Sequence, residues 1–296
     1  MFSFFKPPLA NSIKATAVLF PDLVETIMST NMEIVCVGNE LLIGKTLNTN
    51  AQWLAKRATS LGITVIRITV VSDEVEEIAS VICEALVRKP RFIIVTGGLG
   101  PTFDDKTLEG IAKALKKKLK VNETAFNMVK EKYEVYAKAG RIEKFEMTPY
   151  RVKMAMLPEG AEPLPNPVGT APGVMLKTEN VFLIALPGVP SEMEAIFDES
   201  VSALLKKEAG DLMLFEASIY ADNIMESDLA PLIDVTMHDN PYVYIKSHPR
   251  GEEKKPHIEL HLSTTAEKSK IAKYRLGKAI IQLSELIREK GGKVKV

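Results

Sequence analysis

Cysteine is nearly missing from this sequence: Cys36 and Cys83 are its only two in 296 residues. They lie in a strand-like and a helix-like stretch, and are read as buried free thiols rather than a disulfide pair or a nucleophile. No apolar run reaches about 18 residues, so no membrane span is indicated, and a cytoplasmic location is expected. There is no net charge either: Lys+Arg and Asp+Glu both number 38, so no global basic field points to nucleic acid. Glutamine occurs only at Gln52 and Gln282, while Lys and Glu are plentiful, a balance that hints at a thermophilic source.

What is present is an ordinary globular composition, 46% apolar and 26% charged. It is organised around Phe92–Thr107, Phe-Ile-Ile-Val-Thr-Gly-Gly-Leu-Gly-Pro-Thr-Phe-Asp-Asp-Lys-Thr. Four apolar residues read as a buried strand. A loop with Gly97, Gly98 and Gly100 follows, then Asp104 and Asp105, then Leu108, Ile111, Ala112 and Leu115 at helical spacing. Strand, glycine loop and helix together let backbone N–H groups cradle an anion. The loop is neither Gly-x-Gly-x-x-Gly nor a P-loop. Asp104 or Asp105 is either a helix cap or a carboxylate whose charge a cation compensates.

Upstream, Glu33–Val37 reads as a first strand, followed by Gly38-Asn39-Glu40-Leu41-Leu42-Ile43-Gly44, then Thr49 and Asn50 before a helix ending at Gly62. Thr49 and Asn50 are caps or ligands, and Glu40 is a salt-bridge partner or binds a substrate hydroxyl or amine. Thr64–Val71 is a second strand. Asp73 caps the next helix, with Glu76 reciprocating, or faces a ribose from a strand end. Downstream come helix Asn122–Ala139, strand Met154–Leu157, a proline-punctuated loop over Pro158–Pro172, and a hairpin of Val174–Leu176 with Val181–Leu186. The loop Leu186-Pro187-Gly188-Val189-Pro190-Ser191-Glu192 then enters a helix with a Ser191/Glu194 capping box. Lys116, Lys117, Lys118 and Lys120 read as a solvated face. The alternating order argues for a doubly wound, mostly parallel sheet with ligands at the strand C-termini.

After Gly210 the order becomes βαββα, a small α+β domain with a turn at Gly251–Lys255. Its strand His257, Glu259, His261 alternates with Ile258, Leu260, Leu262, so the polar set faces outward rather than holding a metal with His248. Domains are expected at 1–31, a poorly packed extension, at 32–210 and at 211–296.

The pattern Thr-Gly-Gly-x-Gly-Pro-Thr-x-Asp-Asp-x-Thr resembles the signature of the molybdopterin-binding, MoaB/Mog-like fold. Its double-Asp form is most similar to the competence-induced-protein CinA family. Asn166-Pro167-Val168-Gly169-Thr170-Ala171-Pro172-Gly173, the Pro187-Gly188…Glu192 segment and Gly38–Gly44 match the same family in the same order. The chain departs from the pattern at Asn39, where many relatives have Asp, and around Lys153, whose polar neighbours are lost. The resemblance implies metal-assisted hydrolysis of ADP-ribose or a similar nucleotide diphosphate. Asp104 and Asp105 would carry Mg²⁺, and Asp104, Asp105 and Glu40 would be catalytic. Gly97, Gly98, Gly100, Thr102, Asn39, Thr49, Asn50, Asp73, Lys153, Gly169, Thr170, Pro187, Gly188 and Glu192 would contact substrate. The alternatives are a pterin or molybdopterin binder, an adenylyltransferase, and a nucleotide-binding module without turnover. The partner implied is a small nucleotide or pterin, in a homo-oligomer. The family's C-terminal nicotinamide-mononucleotide deamidase domain is not expected here.

Overall fold

The computed structural model describes residues 30–210, 213–250 and 256–295. Residues 1–29 of the extension expected at 1–31, and the turn at 251–255, lie outside the described residues, while Asn31 already opens the first strand. Of the described residues, those up to Thr59 and from Ile63 to Glu208 form one compact unit, and those from Ala209 onward make up most of a second.

In the first unit, β1 (Asn31–Val37) pairs in parallel with both β2 (Thr64–Val71) and β3 (Phe92–Thr96). β3 pairs in parallel with β8 (Val181–Leu186), and β7 (Gly173–Thr178) and β6 (Glu162–Leu164) extend the sheet antiparallel. The order is β2-β1-β3-β8-β7-β6. The helix α2 (Thr49–Ser60) carries the chain from β1 to β2, and α3 (Val75–Arg88) carries it back past β1 to β3. The winding therefore reverses between β1 and β3, and a crevice opens at their C-terminal ends. Register fixes the level of that crevice. Cys36 lies beside Val70 and Thr96, and Thr96 beside Leu186, so four parallel strands end together and release their loops on one side.

The inner strands β1, β3 and β8 are buried on both faces, with all five residues of β3 buried, as a parallel sheet with helices on each side requires. The edge strand β2, by contrast, has no buried residue and exposes Ile66 and Ile68. Phe92 stacks on Phe182 across the β3–β8 pair, with centroids 5.6 Å apart. The inner stripe of α3 is Ile78, Val81, Ile82 and Ala85, at the spacing the sequence suggests. The helix stops at Lys89, whose φ of 53° is left-handed.

One charge sits inside this core. Glu33 on β1 receives Nε and Nη2 of Arg88, from the last turn of α3, at 2.6 and 2.7 Å. Its carboxylate is 2% exposed, whereas Arg88 keeps 28%. Removing one partner of a buried pair strands the other charge. Arg88→Ala is expected to cost about 2 kcal/mol, less than for a fully buried pair because the guanidinium still meets water. Chemical denaturation reads this directly, and a loss under about 0.5 kcal/mol would contradict it.

Several local expectations need correcting. The residue preceding α3 is Glu74, with no side-chain cap, so Asp73 is not the capping residue there. The helix α7 (Pro190–Ile196) begins with Pro190 after Val189 and has no Ser191 capping box. Proline's fixed φ already suits that first position. The α4 helix (Thr107–Ala114) is preceded by Lys106, without a cap from Asp104 or Asp105. Within the lysine run, Leu119–Val121 forms a short strand, β4, paired with β5 (Met156–Pro158), which starts two residues later than expected. Cys83 is exposed, unlike Cys36. Several short elements went unread, among them β6, the closing strand Lys293–Lys295, and α6 (Pro149–Lys153), which Thr148 Oγ1 caps at Arg151 N. The helix α5 (Glu123–Lys138) matches expectation, with Asn122 Oδ1 accepting from Ala125 N. A π turn at Phe197–Val201 joins α7 to α8 (Ser202–Ala209).

The second unit is an antiparallel sheet, β10 (Tyr244–Pro249), β11 (His257–Ala266), β9 (Met213–Asp222) and β12 (Lys293–Lys295), in that order. The helices α9 (Glu226–Asp239) and α10 (Ser269–Glu289) share a buried cluster with Ile258, Leu260 and Leu262. The opposite face carries His257 on Asp222 at 2.6 Å, Glu259 on Arg250 at 2.8 Å, and His261 on Glu216 at 3.0 Å. The alternation read from sequence is thus the observed one. His257, with Lys295, holds the Asp222 carboxyl below its ordinary range.

Candidate active site

The crevice is built by four loops leaving the aligned strand ends. After β1, Gly38 N donates to Val71 O at 3.1 Å, and the chain turns into the single-turn helix α1 (Asn39–Leu42). Asp73, in the loop after β2, accepts from Asn39 N at 2.8 Å. Position 39 therefore contributes a backbone donor here, and its amide side chain spares the turn a second carboxylate beside Asp73. The Glu40 carboxylate folds back over Gly38, so close that a Cβ there would lie 2.5 Å from Oε1.

Asn50, near the start of α2, ties three loops together. Its Nδ2 donates to Thr96 Oγ1 at 3.1 Å and to Gly188 O at 2.9 Å, while Thr96 Oγ1 donates to Pro187 O at 2.9 Å. These bonds fix the amide's orientation, because Gly188 O can only accept and the Thr96 hydroxyl proton is already used. Asn50 Oδ1 is left buried without a hydrogen-bond partner. A buried acceptor in that condition is costly unless a donor arrives. Asn48, not Thr49, caps α2 by accepting from Ala51 N at 3.1 Å. A hollow of about 100 Å³ results, lined by Cys36, Glu40, Thr49, Asn50, Gly97 and Gly188 among others. Burial pushes the Cys36 thiol up from its ordinary value, which keeps it protonated and unreactive.

The glycine loop forms the other side. Gly97 and Gly98 have φ of 108° and 63°, which side chains disfavour. Thr107, at the start of α4, clasps this turn: Oγ1 donates to Gly97 O at 2.8 Å, and its N–H to Gly98 O at 3.2 Å. Asp105 then closes the loop, with Oδ2 accepting from Thr102 N at 2.8 Å and from Thr102 Oγ1 at 2.6 Å. Asp104 Oδ1 lies against the same hydroxyl. One hydroxyl carries one proton, so two carboxylates converge on a donor that can fully serve one of them. The Thr102 bond, then Asp104's own N–H, then Lys153 and Lys106, hold the Asp104 carboxyl below its usual range. Lys153 Nζ donates to Thr102 O, which brings the cation to the carboxylates. A second hollow, about 70 Å³, is lined by Gly98, Gly100, Asp105, Lys153 and Met156 among others.

Mg²⁺ commonly keeps several waters and binds through one or two carboxylates plus substrate phosphates. Asp104 and Asp105 fit that mode. Among the described residues no group of three or more His, Cys, Asp or Glu is placed to form an all-protein cage.

The remaining loop gathers elsewhere. Asn166 Nδ2 donates to Glu192 Oε2 at 2.7 Å and to Ala171 O at 2.8 Å, while its Oδ1 accepts from Gly169 N at 2.7 Å and Val168 N at 3.1 Å. The Glu192 carboxylate packs on Gly169 where a Cβ would stand. Thr170 Oγ1 lies 3.8 Å from Met154 Sδ. Gly169, Thr170 and Glu192 line neither hollow. Glu40, Thr49, Asn50, Gly97 and Gly188 are brought to the first hollow, and Gly98, Gly100, Asp105 and Lys153 to the second. Thr102 and Asp104 join the second through Asp105 and Lys153. Pro187 acts through its carbonyl, and Asn39 and Asp73 brace the first loop. Sequence reasoning missed Asn48, Thr96, Thr107 and Asn166 as organising residues. Each has a signal: a polar side chain at a strand end, at a helix start or inside a proline-glycine loop.

A family model described as "Probable molybdopterin binding domain" matches residues 33–207. A protein of Sulfurisphaera tokodaii is 43% identical over 265 residues, 88% of this chain and 97% of that one. A protein of Pyrobaculum calidifontis is 46% identical over 258 residues, 87% of this chain and 95% of that one. Among solved structures, the protein CinA of Thermoplasma acidophilum, described as of unknown function, is similar at 39% identity and a TM-score of 0.53. That likeness covers 61% of this chain and 98% of that one.

Proposed function

The chain belongs to the molybdopterin-binding domain family, and from that premise we propose that its crevice binds a small phosphate-bearing nucleotide and cleaves the diphosphate of ADP-ribose. The CinA resemblance of the motifs, together with the likeness to the Thermoplasma acidophilum CinA, supports this line within the family. The observation that carries it is the convergence of Asp104, Asp105 and Lys153 on Thr102, beside the Gly97–Gly98 turn. A loop that only connected a strand to a helix would not need two carboxylates and a lysine at one threonine.

The residues divide the work. The left-handed Gly97–Gly98 turn, whose Cβ positions are filled by Val37 O and Thr107 Oγ1, presents backbone to the phosphate. Lys153 donates one of its three protons to Thr102 O, which leaves two for a phosphate oxygen. Asn50 Oδ1 takes an N–H donor of the base or pterin, and Glu40 a sugar hydroxyl at the crevice mouth. A Mg²⁺ held by Asp104 and Asp105 would neutralise phosphate charge and lower the pKa of a bound water. Asp105, anchored at Oδ2 by Thr102, would hold the attacking water in line with its other oxygen. The water's oxygen bonds to one phosphorus as the bridging P–O bond breaks. AMP and ribose phosphate leave, and the water proton passes to solvent.

Purified protein given ADP-ribose and Mg²⁺ tests the reading. AMP and ribose phosphate appearing in equal amounts is the expected result. No AMP, with ADP-ribose or a pterin still raising the melting temperature, would leave a binding module in its place.

A further inference from the structure

The second unit has a cleft that its own packing does not explain. The helix α10 buries Ala272, Leu276, Ala279, Leu283 and Ile287 against its sheet, a regular inner stripe. Ile271 and Tyr274 lie off that stripe, at 41% and 72% exposure, and Tyr242 faces the same cleft at 67%. The core gains little from these three side chains. They wall a hollow of about 380 Å³ between α10 and the turn Asp239–Val243, a size within the range of small-molecule sites.

The walls are held in place. Thr264 Oγ1 donates to Tyr242 O at 2.6 Å, and the Arg275 guanidinium lies 4.3 Å from the Tyr242 ring centroid. Arg275 is itself tethered, Nη1 donating to Thr265 O at 2.7 Å. Beneath, Asn240 Nδ2 and Gln282 Oε1 meet at 2.8 Å, and Gln282 Nε2 donates to Asp239 Oδ2 at 2.7 Å. Arg275 and Lys278 bring two positive charges to the lining against the single carboxylate of Asp239, which is already occupied by His238 and Gln282. Two aromatic faces favour a planar π system, and the cationic surplus favours an anion attached to it.

We propose that this cleft is a second ligand site, one that takes a planar aromatic group carrying a phosphate, as a nucleoside monophosphate does. Its evidence is independent of the glycine-loop crevice, and the test reads the two separately. The full chain is photolabelled with 8-azido-AMP, and the labelled peptides are mapped by mass spectrometry. Label within 239–243 or 271–278, removed by excess AMP, is the expected result. Tyr274→Ala should cut it about tenfold, since stacking on an exposed ring carries much of such binding. Tyr274→Phe should retain it, which separates lost stacking from a damaged helix. Lys278→Glu should weaken it as well. Label confined to the crevice peptides, or labelling of 239–243 and 271–278 that Tyr274→Ala leaves unchanged, would overturn the proposal.

Discussion

Asp105→Asn should lower turnover of ADP-ribose with Mg²⁺ on the order of a hundredfold or more while leaving the melting temperature nearly unchanged. The substitution preserves shape and removes charge. Asp105 Oδ2 accepts from Thr102 N and Thr102 Oγ1, and a correctly turned asparagine still offers one oxygen to those donors. The residue caps no helix, because α4 is preceded by Lys106 and lacks a side-chain cap. What asparagine cannot supply is the second negative charge beside Asp104, and charge stabilisation at a metal is worth several kcal/mol. Melting and steady-state hydrolysis, measured on one variant, distinguish the outcomes. Unchanged turnover removes Asp105 from the mechanism. Activity that falls only in proportion to lost folded protein makes it a loop clasp and nothing more.

Gly97→Ala is expected to damage the fold itself, by about 3 kcal/mol. Its φ is 108°, where an L side chain is strained, and a Cβ there would run into Val37 O at the end of β1. That oxygen is backbone in a central strand and cannot swing aside. For a domain of this size the melting temperature should fall on the order of 10 °C. Gly140→Ala provides the control. It too has a positive φ, 68°, but no atom lies within 4 Å of its Cβ position, so it reports backbone strain alone, about 1 kcal/mol. Equal losses in the two variants would show that the crowding against β1 is relieved cheaply, and that the turn is less tightly built than it looks.

Much of this molecule is legible in its sequence alone. Buried β-branched runs separated by helical stripes dictate a doubly wound parallel sheet, because only that arrangement buries such strands on both faces. The glycine loop after β3 was visible as a place of close backbone approach. The observed architecture is the α/β, MoaB/Mog-like fold that those motifs implied, followed by the small α+β unit. The outward polar face of β11 followed from period-two alternation alone.

Local hydrogen bonds were read less well, for one physical reason. A polar side chain at a loop has several partners within reach, and sequence shows only the near ones. Asp73 looked like a cap for the helix that follows it, yet it bonds Asn39 N, 34 residues away. Asn50 looked like a cap, yet it joins Gly188, 138 residues distant. Glu192 looked like a ligand for substrate, and it is engaged by Asn166. Strand periodicity and glycine conformation are properties of short segments, so the sequence by itself determined the layers, the sheet and the glycine loop at the strand ends. Which carboxylate braces a loop, and which stands in the crevice, depends on register between strands far apart in the chain, and only the tertiary structure decided that.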